Sequence, residues 1–327
     1  MGQVFTTKIT EMLGIDHPIL CGGMQWVSRP EFVRHVCDAG GMGFITAETF
    51  PTPEDLRAEI RKMRDLTDKP FGVNVSMVPE FGMPERTIRF CQVIVEEGVK
   101  VVETAGRSPE PLMPIFKPAG IKVIHKLTSV RHAESAQKLG VDAVTLIGYG
   151  SGGHVGLDNV ASFILLPLAV QRLKIPVIAG GAVATGAGFL GALAMGAEAV
   201  LMGTAFFVSE ESPVHPAIKQ KLIQARETDT MLILGSIRNP IRVLVNKLAI
   251  ECQALEAKGA TFEEILQLVA GGKGRLAYDV GDPEISPLAC GQIVGLINEI
   301  KPVKRIIDDI IGEARTLLAR LNKTAAP

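Results

Sequence analysis

Aromatic residues are scarce in this chain: one Trp, two Tyr and 13 Phe make up 5% of its 327 residues. A platform for stacking single-stranded nucleic acid needs more than that. Neither sign of charge dominates, with 34 Lys plus Arg against 35 Asp plus Glu and a net charge of −1. Phosphate-backbone binding requires a local basic excess, so nucleic acid is not expected as a partner. The five cysteines (Cys21, Cys37, Cys91, Cys252, Cys290) are scattered and odd in number, and no C-x-x-C occurs. That excludes a disulfide framework, a zinc ribbon or an iron–sulfur cluster, and no metal site is expected. Long hydrophobic runs are missing too. The longest, 163–170, contains Pro167 and is far shorter than a bilayer span, so no membrane association is expected. The opening MGQVFTTK lacks the apolar core of a secretory signal, and the reading is a soluble, cytoplasmic protein. Neither H-E-x-x-H nor G-x-S-x-G occurs. Residues 148–153 spell G-x-G-x-x-G, but Asp158 and Asn159 intervene before any helix, which argues against a dinucleotide fingerprint.

What the chain has is apolar material, 47% of residues, and glycine, 34 in all. Short apolar runs at 18–21, 43–47, 71–77, 99–104, 121–126, 143–147, 176–179 and 199–203 read as strands. Stretches of helical period separate them, among them 53–64, 86–97, 130–139, 161–173 and 187–195. Gly98, Gly120, Gly140 and Gly196 stand where helix C-caps belong. Eight strand–helix units with doubly apolar strands predict an α/β fold, a (β/α)8 TIM barrel. Residues 206–298 keep helical period without a convincing strand, so they read as a helical insertion after the last strand. The predicted division is a barrel of 1–205 and 299–327 and a helical lid or substrate domain of 206–298, the amphipathic stretch 301–322 being the last barrel helix.

A barrel places its active site on the loops that leave the C-terminal ends of its strands. Those loops hold Gly22-Gly23-Met24-Gln25-Trp26, Asn74 with Ser76, His125-Lys126, Gly148 to Gly156 around His154, Gly180-Gly181, and Gly203-Thr204. Glycine at the ends of the last two strands suits close approach of the backbone to a phosphate. Lys126 points to the mouth by strand alternation and His125 to the other face. A lysine aimed inward needs an anion, unless it snorkels to the rim. His154 lies in a glycine-rich loop without apolar period, where an imidazole serves as acid, base or hydrogen-bond donor.

The runs Pro18-Ile-Leu-Cys-Gly-Gly-Met-Gln-Trp-Val27, Phe71-Gly-Val-Asn74, Val102-Glu-Thr-Ala-Gly106, Val123-Ile-His-Lys126, Gly152-Gly-His-Val-Gly156, Pro176-Val-Ile-Ala-Gly-Gly181 and Met202-Gly-Thr204 together resemble the nitronate monooxygenase (2-nitropropane dioxygenase) family. The wording is most similar to its bacterial NADH:quinone reductase branch, and flavin-dependent enoyl-ACP reductases share the Gly-Gly-His loop. The resemblance implies an FMN-dependent oxidoreductase. Gly23, Met24, Asn74 and Lys126 would hold the isoalloxazine, with Lys126 at its N1–O2 side. Gly152 and Gly153 would line the ribityl path, Gly180, Gly181, Gly203 and Thr204 would take the phosphate, and His154 would be catalytic. The expected partner is a small molecule (nitronate, quinone or activated alkene), with NADH or NADPH as reductant in the reductase readings and a homodimer allowed for. The alternatives are a flavin-dependent enoyl-thioester reductase and a non-catalytic barrel that binds a ligand. Gly150 and Ile147 stand where relatives carry acids, which implies a less negative site.

Overall fold

The apolar runs become eight parallel strands closed into a barrel. In the computed structural model, which describes residues 5–77, 84–269 and 272–325, these are β1 (Ile19–Cys21), β2 (Met42–Thr46), β3 (Gly72–Met77), β4 (Val101–Gly106), β5 (Lys122–Leu127) and β6 (Ala143–Ile147), then β8 (Val177–Gly180) and β9 (Ala199–Met202), while β7 (Gly153–His154) lies outside the barrel. The ring closes where β9 pairs with β1, Leu201 beside Leu20. The fold is the expected (β/α)8 barrel. Gly98, Gly120, Gly140 and Gly196 all have positive φ, the left-handed turn that ends a helix before a strand.

Period-two alternation sorts the strand residues into two cores. Leu20, Met42, Phe44, Val101, Ile124, Ala143, Ile178, Ala199 and Leu201 fill the inside, and Ile9 and Leu13 of the helix Lys8–Leu13 plug its lower end. Phe44 occupies so much of this space that a Cβ on Gly72 would sit 2.4 Å from its ring. The outward residues form a larger core with the surrounding helices. His125 faces that outer core as predicted: it is buried, its Nδ1 lies 2.9 Å from the Thr104 hydroxyl, and burial pushes its pKa down to about 4. The helix Val303–Thr324 buries Ile307, Ile310, Ile311 and Ala314 and takes the last place in the ring, with Glu313 accepting the Gly186 N–H at 2.6 Å.

One expectation fails in the segment after β9. It is not purely helical, because β10 (Thr230–Ile233) and β11 (Ile241–Leu244) form an antiparallel hairpin with Ile233 beside Ile241. The signal is weak because each strand has four residues and the connection carries positive φ at Leu234 and Arg238, neither a turn former. The hairpin shares a small core of Ile233, Leu234, Val243, Ala249, Cys252 and Ile265 with the helices Lys247–Ala257 and Phe262–Val269. Its third strand comes from the segment that follows β6: β7 adds to β11, His154 beside Ile241.

Candidate functional site

Strand register decides what gathers at the barrel mouth. Asn74 on β3 pairs with Glu103 on β4, and Lys126 on β5 stands one inward position above Ile124, the partner of Glu103. The three side chains meet. Glu103, fully buried, accepts through Oε2 from Asn74 Nδ2 at 2.6 Å, from Lys126 Nζ at 3.1 Å and from the Gly23 N–H at 3.2 Å. Ser76 Oγ in turn donates to Asn74 Oδ1 at 3.2 Å. Lys126 is 20% exposed, so its ammonium looks into the mouth while its charge is answered from below. Three enclosed oxygens in this layer, Glu103 Oε1, Thr46 Oγ1 and Thr145 Oγ1, have no hydrogen-bond partner among the described residues. Such groups are rare in interiors and call for a partner such as a water or a ligand.

This revises the electrostatic expectation. Ile147 and Gly150 carry no charge, but Glu103 supplies a carboxylate beneath Lys126, and the cluster holds an ion pair instead of a lone cation. Glu103 is a candidate site residue that the motifs alone did not single out from the run Val102-Glu-Thr-Ala. Its signal was a charged residue inside an apolar strand run, which is costly unless paired.

The glycines divide into two kinds. An added Cβ at Gly23 would meet Asn74 at 2.4 Å, at Gly152 the Gly291 nitrogen at 2.7 Å, at Gly180 the Ile147 side chain at 2.2 Å and at Gly181 the Ser151 hydroxyl at 2.1 Å. Those four are small because the chain packs on itself there. Gly153 and Gly203 instead face open space, with only Met24 Sδ at 4.0 Å from a Cβ on Gly203. The Gly181 N–H is spent on the Leu201 carbonyl at 2.9 Å, and Thr204 Oγ1 accepts the Gly291 N–H at 3.2 Å. The first turn of Thr204–Phe207, entered from Gly203, leaves backbone donors free of helical partners.

His154 was read as part of a loop, yet it ends the short strand β7 on the hairpin. Its side chain is exposed, but the ring sits low enough among protein atoms that desolvation, helped by the Lys126 charge, holds its pKa below the ordinary histidine range. The neutral form is the expected one. Arg242 fixes this strand from behind. It is buried beside Gly153, donates through Nε to the Tyr149 carbonyl and through Nη1 to Thr230 Oγ1 (both 3.1 Å), and lies 4.6 Å over the Tyr149 ring. Replacing Arg242 with Met keeps apolar bulk and strands both acceptors, each worth about 1–3 kcal/mol when buried. Faster amide exchange through 149–154 is expected, and exchange at the native rate would show that the β-ladder alone holds His154.

A family model described as nitronate monooxygenase matches residues 6–313. A (3aS,4S,5R,7aS)-5-hydroxy-7a-methyl-1-oxo-octahydro-1H-indene-4-carboxyl-CoA dehydrogenase of Rhodococcus jostii (strain RHA1) is 31% identical, over 94% of this chain and 95% of its own. A probable nitronate monooxygenase of Staphylococcus aureus (strain JH9) is 29% identical, over 95% and 98%. Among solved structures, FabK from Thermotoga maritima superposes with a TM-score of 0.89 at 38% identity, covering 98% of this chain and 100% of that one.

Proposed function

The chain belongs to the nitronate monooxygenase family, and from that premise we propose an FMN-dependent oxidoreductase that acts on thioester-linked acyl substrates. The protein is an oxidoreductase of a flavin-using family, and among the described residues no helix is long and apolar enough to cross a membrane. The residues of the mouth fit a flavin. Glu103, Thr46 and Thr145 present enclosed oxygens without partners, and Gly153 and Gly203 leave open space where a side chain would stand. In this reading Gly23, Met24, Asn74 and Lys126 hold the ring system, Gly152 and Gly153 border the ribityl chain, and Gly203 and Thr204 with Gly180 and Gly181 surround the phosphate. Backbone donors at Gly203–Thr204 carry most of that last task, since the Gly181 N–H is engaged elsewhere. The segment 206–298 acts as the substrate wall. FMN supplies hydride acceptance and donation when bound.

One observation carries the substrate class: an exposed imidazole, kept neutral by desolvation, stands above the mouth; the 31%-identical relative, named as a carboxyl-CoA dehydrogenase, agrees with it. Protons on carbon next to a thioester carbonyl are acidic enough for a histidine to remove, and the same group returns one when an enoyl thioester is reduced. His154 handles that proton while hydride leaves or reaches the neighbouring carbon, so the two transfers balance. Nitronate oxidation is the second reading, favoured by the family name and the 29%-identical relative.

Anaerobic mixing separates them. Flavin bleaching by NADH or NADPH, followed by recovery of colour on adding an enoyl-CoA, or bleaching by a saturated acyl-CoA, is the expected result. Bleaching by a nitronate alone would assign the oxygenase reaction. Recovery with a quinone but with no enoyl thioester would assign the quinone reductase reaction.

A further inference from the structure

Two residues beyond Met24 the β1 loop does something no part of the mouth requires. Trp26 takes φ +69°, a left-handed conformation that is strained for a bulky residue, and its backbone N–H is pinned to Thr49 Oγ1 at 3.1 Å. The indole lies against Gly274 of the helix Lys273–Val280. Between loop and helix lies a cleft of about 160 Å³, bounded by Trp26, Arg29, Val214, Arg275, Tyr278 and Asp279.

The chemistry of that cleft is cationic and aromatic. The Arg275 guanidinium stands 5.9 Å from the centre of the Trp26 ring, and Arg29 is half-buried with its guanidinium 5.6 Å over Phe50. No carboxylate among the described residues lies within 4.0 Å of Arg29, and the nearby Glu31 is engaged by Lys62. Asp279 pairs with Arg275 at 3.6 Å, and both are well exposed, so the two arginines leave one net positive charge. The Tyr278 hydroxyl makes no hydrogen bond among the described residues, and burial pushes its pKa up to about 12, so it stays a donor. An indole face, two guanidinium forks and a phenol describe a site for a planar base carrying phosphate.

We propose that this cleft binds the phosphorylated adenosine end of the substrate's acyl carrier, with the acyl end reaching the mouth past Met24. The proposal rests on the thioester reading above and adds a second contact site to it. Phosphorylated adenosine also occurs in NADPH, and the position of the phosphate tells the two sources apart.

Trp26 is the only tryptophan of the chain, so its fluorescence reports the cleft directly. Holoenzyme is titrated with adenosine 3′,5′-bisphosphate, adenosine 2′,5′-bisphosphate and inorganic phosphate. Saturable quenching by the 3′,5′-isomer is expected, weakened about tenfold or more in Arg29→Gln and in Arg275→Gln, the usual worth of a charged hydrogen bond. The same variants should lose, by a similar factor, the preference in kcat/KM for a CoA thioester over the matching N-acetylcysteamine thioester. Quenching by the 2′,5′-isomer alone would give the cleft to the nicotinamide cofactor and overturn the proposal. Silence with both bisphosphates would also overturn it. Turnover of the truncated thioester tests the thioester reading by itself, so the two failures are distinguishable.

Discussion

Changing His154 to Ala leaves the flavin absorbance in place and slows turnover about 10²–10⁴-fold, the range spanned by a positioned acid or base. The separation of effects follows from where the residue sits. Its backbone belongs to β7 and is held by the ladder to Ile241 and by Arg242 behind it, so losing the imidazole leaves the strand in register. The side chain is exposed, and nothing in the buried cluster of Glu103, Asn74 and Lys126 leans on it. The pH profile adds a sign. Desolvation and the Lys126 charge lower the His154 pKa, so the group is neutral above it and charged below. In the dehydrogenation direction the neutral form is the base, and turnover rises with pH through the lowered pKa and then levels. The midpoint of that rise lies below the ordinary histidine value of about 6.5. In the reductive direction the same proton must be present, and the rate falls over the same interval. His154→Ala should flatten both limbs. Full turnover in the variant would make the imidazole a wall of the pocket.

The barrel itself was legible because it repeats. Eight apolar runs at regular spacing, separated by helical period with stops at Gly98, Gly120, Gly140 and Gly196, leave few alternatives, and β1 to β6, β8 and β9 fall where those runs lie. Alternation within a strand also told Lys126 from His125 correctly, one inward and one outward. Pairings between distant segments were not legible. Nothing in Gly152-Gly-His announces a strand, because two residues have no period, and their partner Ile241–Arg242 lies in a four-residue run nearly 90 positions on. Glycine had two meanings that composition does not separate. At Gly180 and Gly181 it makes room for Ile147 and Ser151, whereas at Gly203 it leaves room for something else. Glu103 shows the same limit. Its cost inside an apolar strand was visible, but which cation answered it depended on the register between β4 and β5.

Glu103 is where the second large effect is expected. Glu103→Ala removes the acceptor shared by Gly23, Asn74 and Lys126 and leaves an ammonium in the mouth without its counter-charge. Breaking a buried ion pair from one side costs about 3–5 kcal/mol, and the 20% exposure of Lys126 lets water reduce that. A loss of about 2–4 kcal/mol would lower the thermal midpoint by roughly 5 °C in a chain of this size, and FMN retention should fall because the β1 loop and the Asn74 amide lose their anchor. Glu103→Gln tests charge apart from shape. The amide oxygen still accepts a hydrogen bond, but the Lys126 charge is no longer neutralised, so the electron-rich, reduced flavin gains attraction that the native pair withholds. The flavin potential should rise in Glu103→Gln and drop below its native value in Lys126→Met, where Glu103 is left unanswered. Opposite shifts are the signature of a pair poised against itself. Equal potentials in both variants would mean that the pair lies outside the electrostatic reach of the flavin and serves only to hold β3, β4 and β5 in register.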